Sequence, residues 1–146
     1  MALFTDLEQE EIAKEIASAE QATSGEIRIA IDKHCEGDPY QKATEYFQKL
    51  DMDRTALRNG VLIYLAHLDK KFAIIGDAGI NRAVPDDFWE TTKDAMKAHF
   101  IKGDLANGLV EAIKLAGEKL SFYFPHQQGD INELPNDIVY LDNDKN

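Results

Sequence analysis

The chain has 146 residues, 27 acidic against 16 basic, and a formal net charge of −11. That length fits one domain, and a hydrophobic content of 44% supplies a core and excludes disorder of the bulk chain. The negative charge excludes a nucleic-acid binder that works by neutralising phosphates, and it opposes an anionic membrane surface.

The charge is concentrated at the ends. Residues 1–22 carry −5 and residues 126–146 carry −4, whereas residues 23–125 carry only −2. One cysteine, Cys35, excludes an intrachain disulfide framework. The longest apolar runs, such as Val61–Ala66, fall far short of the ~20 residues a membrane-spanning helix needs. The N-terminus, Met1-Ala2-Leu3-Phe4-Thr5-Asp6, has neither the basic start nor the apolar stretch of a secretion signal, so a cytoplasmic location is expected.

Thr5-Asp6-Leu7-Glu8 has the form of a capping box, and Leu7, Ile12, Ile16 and Ala19 recur at near-helical spacing. A first helix is predicted over 6–22, broken by Thr23-Ser24-Gly25. Ile27, Ile29 and Ile31 alternate with polar or small residues and mark a first strand. Asp38-Pro39 starts a second helix, with Asp as N-cap and Pro in its first turn, running to about Leu50. A loop over 51–59 leads into the continuous apolar run Gly60–Ala66, the pattern of a central, doubly covered strand. His67-Leu68-Asp69-Lys70 reverses the chain into a third strand over 71–75, ended by Gly76-Asp77-Ala78-Gly79. Pro85 opens a third helix that Gly103 stops. Asp104 caps a fourth, which Pro125 prevents from resuming. Residues 126–146 read as an acidic tail, with room for one added edge strand.

This order predicts an α/β domain over 1–125, a three-layer α/β/α sandwich with a short mixed β-sheet flanked by helices on both faces. The first and central strands form a parallel right-handed crossover, and the central and third an antiparallel hairpin.

That topology sorts the loops onto two rims. The first rim gathers Glu26, the loop with Asp51 and Asp53, Asp77 between its glycines, and Asp86 beyond Pro85. Converging carboxylates repel unless they are protonated or bridged by a cation, and oxygen-only ligation suits calcium or magnesium. Asp77, Asp53, Asp51 and Glu26 are therefore the expected metal ligands. The plainer alternative for any one of them is solvated loop surface. Arg54, Arg58 and Arg82 lie nearby, suited to hold a phosphate or to pair with these acids. The second rim gathers Asp32, His34, Cys35, Glu36 and Asp38 with His67 and Asp69. His34 is badly placed to activate its neighbour Cys35, which is expected to be a surface thiol. No dinucleotide or P-loop glycine pattern is present.

Three stretches, Thr23-Ser-Gly-Glu-Ile-Arg-Ile-Ala30, Arg58-Asn-Gly-Val-Leu-Ile-Tyr-Leu65 and Phe72-Ala-Ile-Ile-Gly-Asp-Ala-Gly-Ile-Asn81, resemble the TPM domain family. So do Phe100-x-x-Gly-Asp104, Gly108-Leu109 and Phe124-Pro125. The family includes thylakoid-lumen phosphatase-like proteins of photosystem repair and many bacterial proteins. The resemblance spans about Leu3 to Pro125 and implies an α/β/α sandwich, divalent-cation binding and, in some members, acid phosphatase activity. Asn59-Gly60 matches the family's Asn-Gly before the central strand, Gly76 and Gly79 its Gly-rich turn, and Asp86 an Asp that opens its next helix. Without a leader, anchor or Gly-rich tail, the chain looks like a short soluble bacterial form.

Two functions follow as expectations. The first is a module that holds calcium or magnesium on the first rim, the ion ordering loops or mediating contact with a protein partner. The second is a metal-assisted hydrolase of phosphomonoesters, with Arg58 or Arg54 clamping the phosphoryl oxygens. The absence of a dedicated phosphoryl-transfer nucleophile favours the first. A scaffold that binds no ion and acts through the acidic tail is the third.

Overall fold

The computed structural model describes residues 3–126 and 138–141. The rest of the expected acidic tail lies outside the described residues. The fold is α/β, built on a four-stranded mixed sheet. Its elements are α1 (Asp6–Ala22), β1 (Glu26–Asp32), α2 (Pro39–Lys49), a single 3-10 turn (Met52–Arg54), β2 (Gly60–Ala66), β3 (Lys71–Gly76), α3 (Ala78–Ala83), α4 (Glu90–Ile101), α5 (Leu105–Tyr123) and β4 (Val139–Tyr140). They fall into two compact units, one holding α1, α4 and α5, the other the sheet with α2 and α3.

In the helical unit, the capping box forms as the sequence implies. Thr5 Oγ1 accepts from the Glu8 amide at 3.1 Å, and the Glu8 carboxylate accepts from the Thr5 amide at 2.9 Å. Helix α5 buries Leu109, Ala112, Ile113, Ala116 and Leu120 on one stripe and packs against α1 and α4. Each large side chain of this kind contributes about 1.5–3 kcal/mol when removed from water. Gly117 lets α5 approach α1 closely, since a Cβ there would sit 2.7 Å from the Ala19 Cβ. The chain ends of this unit are stitched together where the Ser24 amide and the Thr23 hydroxyl both donate to the Phe124 carbonyl.

In the sheet unit the strand order is β3-β2-β1-β4. β1 and β2 are parallel, from Glu26↔Gly60 to Asp32↔Ala66, and β2 and β3 are antiparallel, from Val61↔Gly76 to Ala66↔Lys71. The β4 strand pairs in parallel with β1 at Ala30 and Ile31, which supplies the added edge strand. Every residue of β2 is buried, as expected of a central strand. On one face Ala30, Leu62, Tyr64, Ala66 and Ala73 pack with Ala43 and Phe47 of α2 and with Met52 and Cys35.

Two elements differ from the sequence reading. Pro85 does not open a helix. The Phe88 amide donates to the Pro85 carbonyl and the Glu90 amide to that of Asp87. These turns bury Phe88 to 6% exposure, and the helix begins only at Glu90. Residues 76–79 do more than end β3, because a short helix, α3, starts at Ala78 with Asp77 as its N-cap.

Candidate functional site

The starts of β1 and β2 and the end of β3 lie at one end of the sheet, held by backbone hydrogen bonds. The Glu26 amide donates to the Asn59 carbonyl at 3.2 Å and the Asp77 amide to that of Gly60 at 2.9 Å. Past the end of β3, the Gly79 amide donates to the Arg58 carbonyl at 2.9 Å. A Cβ on Gly79 would lie 2.4 Å from the Leu57 carbonyl oxygen and 2.5 Å from that of Arg58, both backbone atoms, so only glycine fits. The loop ahead of β2 is equally built. The Asn59 amide donates to the Thr55 hydroxyl at 3.3 Å, both residues are buried, and Arg58 adopts a left-handed φ of 51°. For a side chain of that size this backbone costs about 1–2 kcal/mol, which the surrounding contacts must offset.

Arg58 and Asp77 form the centre of this end. Arg58 Nε donates to Asp77 Oδ2 at 2.8 Å and Nη2 donates to Oδ1 at 2.9 Å, a bidentate pair. The Asp77 Oδ1 atom also accepts from the Ala78 amide at 2.7 Å. The Asp77 side chain is only 5% exposed, while that of Arg58 is 46% exposed. The hydrogen bond and the charge of Asp77 raise the Arg58 pKa further above its ordinary value, and Asp53 adds a smaller push in the same direction.

The other expected ligands are placed differently. Asp51 stands in a left-handed backbone conformation with φ of 57° and lies 3.5 Å from Arg54 in a pair exposed on both sides, worth little in stability. Glu26 is buried at 4% exposure. Asp86 belongs to the helical unit and is exposed, and Arg82 is exposed at the end of α3. Among the described residues, no three His, Cys, Asp or Glu side chains are grouped so as to hold a metal ion. The partner that Asp77 meets is a guanidinium.

The other end of the sheet is sealed. Cys35, expected at the surface, is 2% exposed. Asp69 Oδ1 meets His34 Nδ1 at 2.9 Å, and its Oδ2 accepts from the Cys35 amide at 2.8 Å. Lys71 Nζ donates to the carbonyls of Cys35 and Gly37, each at 2.9 Å. The His34 hydrogen bond, then that of the Cys35 amide, holds the Asp69 carboxyl below its ordinary pKa. Beneath this loop the Tyr64 hydroxyl donates to Asp32 Oδ2 at 3.0 Å. Burial, reinforced by hydrogen bonds with Cys35 and Asp32, pushes the Tyr64 phenol far above its ordinary range. Sequence reasoning missed Tyr64 because it reads as one more apolar residue of a buried strand.

Such a site, an Arg–Asp pair on glycine-bearing turns at one end of a mixed α/β sheet, defines a small α/β module with a charged loop rim. The chain belongs to the TPM domain family, whose model matches residues 1–119. It is similar, at 46% identity and a TM-score of 0.91, to the BA42 protein of the psychrophilic bacterium Bizionia argentinensis, over 96% of this chain and 97% of that one. The N-terminal domain of the cg2496 protein from Corynebacterium glutamicum shares the fold, at a TM-score of 0.65 and 12% identity, over 94% of this chain and 80% of that one. No curated protein matches. No described helix is long and apolar enough to cross a membrane.

Proposed function

We propose that this chain is a TPM module that takes a divalent cation, calcium or magnesium, at the Arg58–Asp77 end of the sheet. The observation that supports this reading is that Asp77, nearly buried, is neutralised by a guanidinium that is itself half exposed. Arg58 is a positive partner that water can reach and solvate once displaced. A divalent ion would replace the guanidinium on Asp77. Asp53, which already acts on Arg58, would supply the second carboxylate. Asp51, which pairs with Arg54, and Glu26, at the start of β1, are the further candidate ligands. Six to eight oxygens are usual for calcium, so carbonyls and water would complete the shell. The ion would then order the loop or carry a contact to a protein partner. Its compartment in this reading is the cytoplasm, where a single buried thiol stays reduced.

A second reading, metal-assisted hydrolysis of phosphomonoesters, draws on the same exposed half of Arg58, to which a phosphate could be presented, with Arg54 as the alternative clamp. The two separate in one experiment on the full chain. Calcium and magnesium titrations are followed by amide chemical shifts, beside turnover of p-nitrophenyl phosphate. The cation-binding reading expects saturable shifts at Asp53, Arg58, Asp77 and Ala78, abolished in Asp77→Asn, with no turnover. Turnover lost in Arg58→Ala would move the assignment to the hydrolase. No response at these amides would remove both.

A further inference from the structure

At the opposite end of the sheet, Asp32 closes β1 and Tyr64 lies next to the end of β2, its parallel neighbour. Both side chains belong to the face covered by α2, and Asp32 is 1% and Tyr64 0% exposed. Tyr64 packs in one core cluster with Cys35, and its hydroxyl donates to Asp32 Oδ2 at 3.0 Å. The remaining oxygen, Asp32 Oδ1, is fully buried and meets no hydrogen-bond donor among the described residues. A buried carboxyl oxygen left without a donor costs about 1–3 kcal/mol, and native interiors satisfy such atoms with protein groups or ordered water. The carboxyl ends of parallel strands are also where open α/β sheets most often place ligands.

What closes this end is equally specific. The loop between β1 and α2 passes over it, and residues of the β2–β3 hairpin hold that loop down. Asp69 grips the His34 ring and the Cys35 amide, and Lys71 grips the carbonyls of Cys35 and Gly37. Cys35 is buried under this loop, its thiol 3.9 and 4.0 Å from the Glu36 and Gly37 carbonyls, both weak acceptors. These four grips are side-chain hydrogen bonds near the surface, so they open more readily than the sheet ladder beneath them.

We propose that Asp32, Tyr64 and Cys35 form a closed internal site that holds a water molecule on Asp32 Oδ1, with the Asp69–Lys71 clamp on the 33–38 loop as its gate. The water donates to Oδ1 while Tyr64 donates to Oδ2, so both carboxyl oxygens are satisfied without a countercharge. The thiol of Cys35 lies on the same path and reports when the gate opens. This reading is independent of cation binding at the other end of the sheet.

Two measurements on the full chain test it. A crystal structure at atomic resolution is expected to show a solvent peak about 2.7–3.2 Å from Asp32 Oδ1. Absence of the peak, or a protein donor in its place, overturns the hydration site. Labelling of Cys35 by Ellman's reagent is expected to be slow in the wild type and faster by about tenfold or more in Asp69→Asn and in Lys71→Met, since each removes charge-assisted hydrogen bonds from the clamp. Unchanged labelling rates, in variants whose circular dichroism matches the wild type, overturn the gate. The crystal structure needs no variant, so it decides the first point even if a variant fails to fold.

Discussion

The two ends of one sheet handle a buried carboxyl in opposite ways. At the start of β2, Asp77 is paired with an arginine that reaches solvent, and the loop around it carries two residues in left-handed backbone, Asp51 and Arg58. At the end of β1, Asp32 is buried and paired with a phenol under a clamped loop. A carboxyl held by an exchangeable cation is suited to trade that cation for another. A carboxyl held by a neutral donor inside a closed core keeps the sheet end rigid. The same sheet thus carries one buried carboxyl on a half-exposed guanidinium and another on a buried phenol, and the proposed cation site concerns only the first.

Breaking the charged end at its backbone should have the largest effect. Gly79→Ala drives a methyl group into two carbonyl oxygens that cannot swing away. A loss of about 3 kcal/mol or more is expected, read from urea unfolding. At the sealed end, Tyr64→Phe leaves Asp32 Oδ2 without its donor and should cost about 1–3 kcal/mol in the same assay. Asp77→Ala removes the α3 cap and frees Arg58 into water, and about 1 kcal/mol is expected. If Asp77→Ala proved costlier than Tyr64→Phe, the contrast between an exchangeable and a rigid end would fail.

The smallest effect is a pH dependence. The folded pKa of Asp69 lies below its ordinary value because His34 and the Cys35 amide hydrogen-bond to its charged form. Its contribution is therefore complete above the ordinary carboxylate range and is lost as pH falls through the depressed value. Urea midpoints of the wild type and Asp69→Asn should differ at neutral pH and converge at acid pH. A gap that stays constant would assign Asp69 no such role.

Much of the fold was legible because its signals are local. The capping box at Thr5, the alternation of Ile27, Ile29 and Ile31, the Asp38-Pro39 helix start and the apolar run of β2 each depend on a few neighbouring residues. The short α3 was hidden because Gly76 and Gly79 read as breakers, whereas Gly79 is needed for its close approach to the 57–58 backbone. The late start of α4 was hidden because Phe88 is buried by a turn that mimics the first turn of a helix. At this rim the sequence left Arg58 open to hold a phosphate or to pair with a neighbouring acid, and the structure shows the pairing, with Asp77. The deciding fact was the hairpin register. Continued past Val61↔Gly76, it sets Gly60 opposite Asp77 and Arg58 opposite Gly79, so Arg58 reaches Asp77 first. Burial of Cys35 was not legible at all, since it depends on Asp69 and Lys71 from across the hairpin.

The most direct test of an exchangeable cation at Asp77 is calcium binding by calorimetry in the wild type, Arg58→Gln and Asp77→Asn. Removing the competing guanidinium should tighten binding several-fold, as expected when about 1 kcal/mol of pairing no longer has to be displaced, and Asp77→Asn should abolish it. Binding that weakens in Arg58→Gln, or that survives in Asp77→Asn, would contradict the exchange of Arg58 for a metal ion.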